Sequence, residues 1–297
     1  MAITRVTQTM MSRGSVDAMQ TSLSRLARLQ EQISTGRVLN RPSDSPTDTT
    51  SAMRIRSTLA EVKQYGRNAA DGNGWLSIVD AALTGANNQV MRARDLALQG
   101  ANQGTAGQAV RDALAAEVEQ IRDGLIGIAN SDFLGRPVFG GVTAGPNAYD
   151  PATGAYVGTP GAVNRTVGEG APVRVDVDGN TAFGPTGDSV FDHLAALATA
   201  LRTGDQATIS ASIASLEVDR DRITTTQAEA GSRQNRVQAA IHNAADDELR
   251  LRTSLSEVEN ADLPKAVVDL QLQEVAYQAA LGATARVMQP SLLDFLR

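Results

Sequence analysis

Imidazoles, thiols and clustered carboxylates carry most polar chemistry in proteins, and this chain of 297 residues offers little of it. The two histidines, His193 and His242, each stand alone in a stretch of helical periodicity. A general base needs an orienting partner and a substrate within hydrogen-bond reach, and neither position shows a catalytic spacing. Both read as exposed or hydrogen-bonded helix residues. Asp176-Val177-Asp178-Gly179-Asn180 has the oxygen-rich texture of a calcium loop. An EF-hand loop, however, requires glycine at its sixth position and glutamate at its twelfth. Here glycine comes fourth and the twelfth residue is Gly187, so a hairpin turn is the expected structure. Cysteine is absent, which excludes disulfides and thiolate metal sites. There is no nucleophile elbow, phosphate-binding loop or zinc-protease helix. Asn164-Arg165-Thr166 matches the glycosylation triplet, a pattern that arises readily by chance. Arg92, Arg94 and Asp95, and the run Asp219-Arg220-Asp221-Arg222, are expected to be solvated helix faces with weak ion pairs, or contacts between subunits. No enzyme, cofactor or metal site is expected.

The elements that would position these residues are mostly helices. Val16, Met19, Leu23, Leu26, Gln30 and Ile33 alternate spacings of three and four, the seam of a coiled coil. Gly36 can supply the left-handed backbone that ends such a helix. After the polar connector Asn40-Arg41-Pro42-Ser43-Asp44, Ser45 is a candidate N-cap with Pro46 in the first helical position. A second helix is expected from about Thr47 to about Leu98, with a kink or change of register at Asp71-Gly72-Asn73-Gly74. A shorter one follows, with Val110, Leu114, Val118, Ile121, Leu125 and Ile128 on one face.

Between Phe133 and Gly187 glycine and proline become frequent and helical periodicity vanishes. Val173, Val175 and Val177 alternate with Arg174 and Asp176 before Asp178-Gly179, the pattern of a half-exposed strand entering a two-residue turn. Helix returns at Ser189 with Val190, Leu194, Leu197 and Leu201 and stops at Gly204. Asp205 can cap another long helix reaching about Glu259. A last helix spans about Leu263 to Leu296, with Val267, Leu270, Tyr277, Leu281 and Met288 on one line. The expected fold is mainly α: an elongated antiparallel helical bundle or coiled coil built from both chain ends, with a small β-rich inserted domain. The expected division is 1–46 and 263–297 as terminal segments, 47–132 and 189–262 as the two halves of a helical rod, and 133–188 as the insert. Aromatic residues are only 3% of the chain, which argues against one large round core. A net charge of −6 argues against nucleic-acid binding. No apolar run approaches the roughly 20 residues that span a bilayer, so no membrane partner is expected. Met1 to Gln8 lacks the basic and apolar regions of a cleavable secretory signal.

The run from Leu29 to Asp44, closing in Asn40-Arg41-Pro42-Ser43-Asp44, resembles the N-terminal signature of the flagellin superfamily. Glu259-Asn260-Ala261-Asp262-Leu263-Pro264-Lys265-Ala266, and the stretch from Tyr277 to Leu296 with Ser291-Leu292-Leu293-Asp294-Phe295, are similar to its C-terminal helix. Asn40 to Asp44 and Phe139-Gly140-Gly141 look more like the members that join hook to filament than like filament subunits. The resemblance implies a structural subunit whose terminal helices form the inner tube, with Val16, Met19, Leu23, Leu26, Ile33, Val267, Leu270, Tyr277, Leu281, Leu292, Leu293 and Phe295 as assembly positions. It implies a ring of copies, contact with the preceding junction protein and with flagellin or the filament cap, and a cytoplasmic export chaperone on the C-terminal helix. It also implies an extracellular place on the flagellum, reached without a cleaved signal. The rival readings are the filament subunit itself and, further off, a coiled-coil adaptor or chaperone with a β insertion.

Overall fold

The computed structural model describes residues 8–102 and 107–288. In chain order the elements are α1 (Gln8–Thr35), α2 (Pro46–Asn102), α3 (Gln108–Ala129), β1 (Asp132–Phe133), β2 (Arg136–Pro137), β3 (Asn164–Thr166), β4 (Pro172–Arg174), α4 (Gly179–Phe183), α5 (Val190–Thr203), α6 (Gln206–Glu259) and α7 (Leu263–Met288). The fold is mainly α with a small β insert, and no described helix is long and apolar enough to cross a membrane. Two units are distinguished, one of Met1–Ala60 with Leu249–Arg297, the other of Glu61–Glu248.

In the second unit α2 buries Ala69, Gly72, Leu76, Val79, Leu83, Ala86, Val90, Ala93 and Ala97, an unbroken alternation of three and four. The helix is continuous through Asp71-Gly72-Asn73-Gly74, and its buried alternation shows none of the change of register that was one expectation there. The glycines are packing notches instead. A Cβ on Gly72 would lie 3.0 Å from Val175 Cγ1, and one on Gly74 would lie 2.9 Å from Phe133 Cε2. Each glycine weakens a helix by about 1 kcal/mol against alanine, and here close packing of the insert offsets it. Helix α6 runs antiparallel to α2, with Arg94 pairing Glu217, Asp80 accepting from Gln227, and Lys63 beside Glu248. Its buried line interleaves Ile209, Leu216, Ile223 and Ala230 with the polar Ser212, Asp219 and Thr226. Helices α3 and α5 pack on each other through Leu114, Val118, Leu125, Leu194, Leu197 and Leu201. Ser189 caps α5, in a reciprocal box with Asp192, and as expected Gly204 ends the helix, with φ 74°.

The insert holds two short antiparallel pairs, β1 with β2 and β3 with β4. The expected strand through Val177 is shorter, ending at Arg174, and the turn lies at its other end, where Val167 donates to Ala171 O. Asp178 does not enter a hairpin. It caps α4, its carboxylate accepting from Asn180 N at 2.9 Å. Nor is the segment half-exposed: Val173, Val175, Val177 and Asp176 are all buried. Asp176 is sheltered because it has partners, accepting from Val163 N at 2.6 Å and from Arg174 at 3.0 and 2.8 Å. Alternation of charge and valine therefore marked a paired buried carboxylate rather than a solvent face. Seven of the ten aromatic residues gather here, with Tyr149 touching Tyr156, Phe183 and Phe191, Phe139 against Phe183, and Trp75 against Phe133. Burial pushes the Tyr156 hydroxyl up to about 12.

Candidate assembly surface

In the first unit the end of α1 is tied to the start of α7. Gly36, at φ 69°, receives a bond from Ala261 N at 2.9 Å, and Val38 N donates to Glu259 O at 2.8 Å. The helices therefore pair antiparallel. From α1 the half-buried positions include Met19, Ser22, Leu26, Leu29 and Ile33, and from α7 they include Leu270, Gln273, Tyr277, Ala280 and Thr284, with Ala266 buried. Both lines alternate three and four, which is knobs-into-holes spacing. The expected α1 seam thus splits in two. Met19, Leu26 and Ile33 face α7, while Val16 (44% exposed) and Leu23 (48%) form a second line open to solvent. On α7, Leu270 and Tyr277 lie in the pair, and Val267 and Leu281 are exposed together with Val268, Leu272 and Val275. Leu29, Ala266 and Leu272 were not singled out from the sequence, although a second heptad line beside the first would have found them. Leu292, Leu293 and Phe295 lie outside the described residues.

The connector is held by one carboxylate. Asp44 Oδ2 accepts from Asn40 N at 3.1 Å and Arg41 N at 2.8 Å, and Asp44 N closes the turn on Arg41 O at 3.0 Å. The Asn40 side chain donates to Arg37 O at 3.2 Å, and Arg41 reaches Glu31 at 3.4 Å. Pro42 and Ser43 occupy the turn itself and are exposed. Ser45 then starts α2, accepting from Asp48 N at 3.3 Å with Pro46 as first residue, as expected. Beside this turn the nearly buried Glu259 pairs with Arg56 at 2.7 Å, and Arg37 lies at 4.0 Å.

Phe139, Gly140 and Gly141 lie in the second unit. Phe139 is fully buried in the aromatic cluster and its carbonyl accepts from Gly179 N at 3.0 Å. A Cβ on Gly140 would meet Thr143 Cγ2 at 2.6 Å and Pro137 Cγ at 2.8 Å. Gly141 has φ 63°, and a Cβ there would strike Thr159 O. The three residues let the chain pass between Thr159 and Asp178 at backbone-pairing distance.

Of the expected charged faces, Arg92 and Glu117 form an exposed pair at 2.6 Å, and Arg94 reaches Glu217 at 2.9 Å, both bridging helices. Asp219 departs from the expectation: it is 1% exposed. Its carboxylate lies 2.7 Å from His193 Nδ1 and accepts from Arg222 at 3.1 Å, while His193 Nε2 lies 3.1 Å from Asp188. Burial raises the Asp219 pKa, against the lowering pull of His193 and Arg222. This network ties the segment before α5 to α6. His242 is exposed on α6. Among the described residues no group of three or more His, Asp or Glu could hold a metal.

The first and last described helices pair, with the chain's remaining elements inserted between them. Residues 6–144 match the bacterial flagellin N-terminal helical region, and residues 213–296 match the bacterial flagellin C-terminal helical region. The chain belongs to the flagellin superfamily, a family of structural flagellar proteins. Within it, flagellar hook-associated protein 3 of Salmonella typhimurium is 24% identical over 317 residues, covering 99% of this chain and 100% of that protein. Flagellar hook-associated protein 3 of Escherichia coli is 26% identical over 243 residues, or 78% of this chain and 74% of that protein. The crystal structure of Bacillus cereus FlgL shares the fold with a TM-score of 0.61 at 23% identity, covering 68% of this chain and 99% of the other.

Proposed function

We propose that this chain is a structural subunit of the bacterial flagellum that joins hook to filament, and that copies of it pack into a ring through α1 and α7. The observation that carries the reading is the second apolar line on that helix pair. Val16, Leu23, Val267 and Leu281 face solvent although the two helices have already filled a seam against each other. Helices that are apolar on two sides are partner-seeking elements, because fully burying a leucine or valine side chain is worth about 1.5–3 kcal/mol. Likeness to hook-associated protein 3 along nearly the whole length supports the junction role over that of a filament subunit.

In this reading 1–46 and 263–297 form the innermost layer, 47–132 and 189–262 the next, and 133–188 the outer face. Leu292, Leu293 and Phe295 would extend the C-terminal assembly surface and, before export, the site of a cytoplasmic chaperone. The preceding junction protein would lie on one side, and flagellin or the filament cap on the other. Export without a cleaved signal would place the protein outside the cell.

A junction subunit must match a different protein on at least one side, so its self-extension is disfavoured. Purified protein at high salt should give monomers or short oligomers, and Leu23→Glu should abolish the oligomers. Antibody should mark flagella at one point next to the hook. Micrometre filaments of this protein alone, or staining along the whole filament, would identify a filament subunit instead.

A further inference from the structure

The turn between β1 and β2 holds a leucine where the backbone favours glycine or asparagine. Leu134 has φ 52°, the one positive value for a non-glycine among the described residues, and its side chain is 82% exposed. With Gly135 at φ 76°, both turn positions are left-handed, a geometry for which Asn-Gly is the unstrained choice. A bulky residue there is a conformational outlier, and in open solvent it gains no burial in return. The turn is nevertheless firmly mounted. Asp132 accepts from Gly135 N at 2.9 Å, Phe133 stacks on Trp75 at 5.8 Å, and the Arg136 guanidinium lies 5.5 Å from the Trp75 ring centre. Strain of this kind persists where the surrounding structure over-determines it, and it clusters at functional contacts.

The same unit carries a complementary recess. A groove of about 410 Å³ lies between α2 and α6, with Val62, Gly66 and Ala70 on one wall and Ile241, Ala244 and Ala245 on the other. The helices come close here: a Cβ on Gly66 would lie 3.6 Å from that of Ala244. Lys63, Arg67 and Glu248 rim the groove, and Asp132 and Arg136 flank Leu134, so each acid of one surface can meet a base of the other. We propose that Leu134 is a docking knob that seats in this groove on a second copy of the chain. Knob and groove are unlike surfaces, so the contact is heterologous, the kind that propagates around a ring. The inference rests on reading the chain as a self-assembling subunit.

Because the chain has no cysteine, the contact can be read directly by cross-linking. Leu134→Cys and Ala245→Cys variants, one carrying a size tag, are mixed where wild type oligomerises and treated with a short bis-maleimide. The mixture should yield the heterodimer, and neither variant alone should cross-link to a similar extent. Leu134→Asn should act oppositely on two readouts. It relieves the left-handed strain, raising Tm by roughly 2–4 °C, and it removes the knob, weakening self-association roughly tenfold or more. A leucine serving only the fold would move neither readout, or both together. Oligomers that form with no cross-link, and that Leu134→Asn leaves unchanged, overturn the knob while the terminal-helix reading stands. Wild type that stays monomeric at every protein and salt concentration overturns the knob, whereas micrometre filaments of wild type overturn the junction reading instead.

Discussion

Gly141→Ala tests whether the Phe139-Gly140-Gly141 motif is a packing device. Two penalties apply. At φ 63° any side chain costs about 1–2 kcal/mol. The new methyl would also press on Thr159 O and lie 3.2 Å from Gly161 N. Both neighbours are backbone and cannot rotate away, so relief requires a main-chain shift, worth about 1–3 kcal/mol in a well-packed core. The sum, about 2–5 kcal/mol, is a large part of the 5–15 kcal/mol that stabilises a typical domain. Gly135→Ala is the control. Its φ is 76°, but an added Cβ meets nothing within 4 Å, so it pays the conformational penalty alone. For a domain of this size 1 kcal/mol shifts Tm by about 2–4 °C. Gly141→Ala should therefore melt about 2–12 °C below Gly135→Ala. Trp75, the only tryptophan and 1% exposed, reports unfolding of this unit by its emission, with near-UV circular dichroism of the aromatic cluster as a second probe. Equal melting of the two variants would refute the steric half of the reasoning, and melting at the wild-type temperature would refute all of it.

Asp44→Ala removes the acceptor shared by Asn40 N and Arg41 N, and hydrogen exchange at those two amides should accelerate roughly tenfold while α2 is unchanged. Unaltered exchange at both would mean that the connector is held by something else. Asp219 has a folded pKa above its ordinary value, chiefly through burial. The stability linked to its proton is therefore complete below the unfolded carboxylate range and is lost as pH rises through the folded value. Relative to Asp219→Asn, which cannot ionise, wild type should gain stability as pH falls toward that range. A difference in Tm that moves the other way with acid would show that His193 and Arg222 outweigh burial.

Helices were legible in the sequence wherever one local rule decided them. Ser45-Pro46, Ser189 and Gly204 marked helix ends through bonds that span four residues or fewer, and the structure keeps all three. The three-and-four spacing of Leu76, Val79, Leu83, Ala86, Val90, Ala93 and Ala97 likewise marks the buried line of α2. The failures share a cause, which is a partner remote in sequence. Gly72 and Gly74 read as a kink or change of register because Val175 and Phe133, the side chains that need the space, lie far along the chain. Asp176 read as solvent-facing because its bond from Val163 N is made across a hairpin. The motif residues behaved the same way. Asn40 to Asp44 and Phe139 to Gly141 were recognisable as signatures, yet what they do became visible only with Asp44 under two amides and with Thr159 against Gly141.

The two units differ in how completely they use their apolar lines, and the difference bears on function. Four helices and the insert enclose the second unit, so Leu76, Val79, Leu83 and Leu125 reach zero exposure. In the first unit α1 and α7 pair with each other, and among their described seam positions only Ala266 is buried. Two helices cannot surround one another: each turns one stripe inward and leaves the rest of its surface to water. In α1 and α7 part of that remaining surface is apolar at heptad spacing, Val16 to Leu23 on one helix and Val267 to Leu281, two heptads apart, on the other. A helix pair serving only the monomer would be more soluble with polar residues there. Retaining apolar ones makes sense if their burial comes from neighbouring copies, as the proposed ring requires.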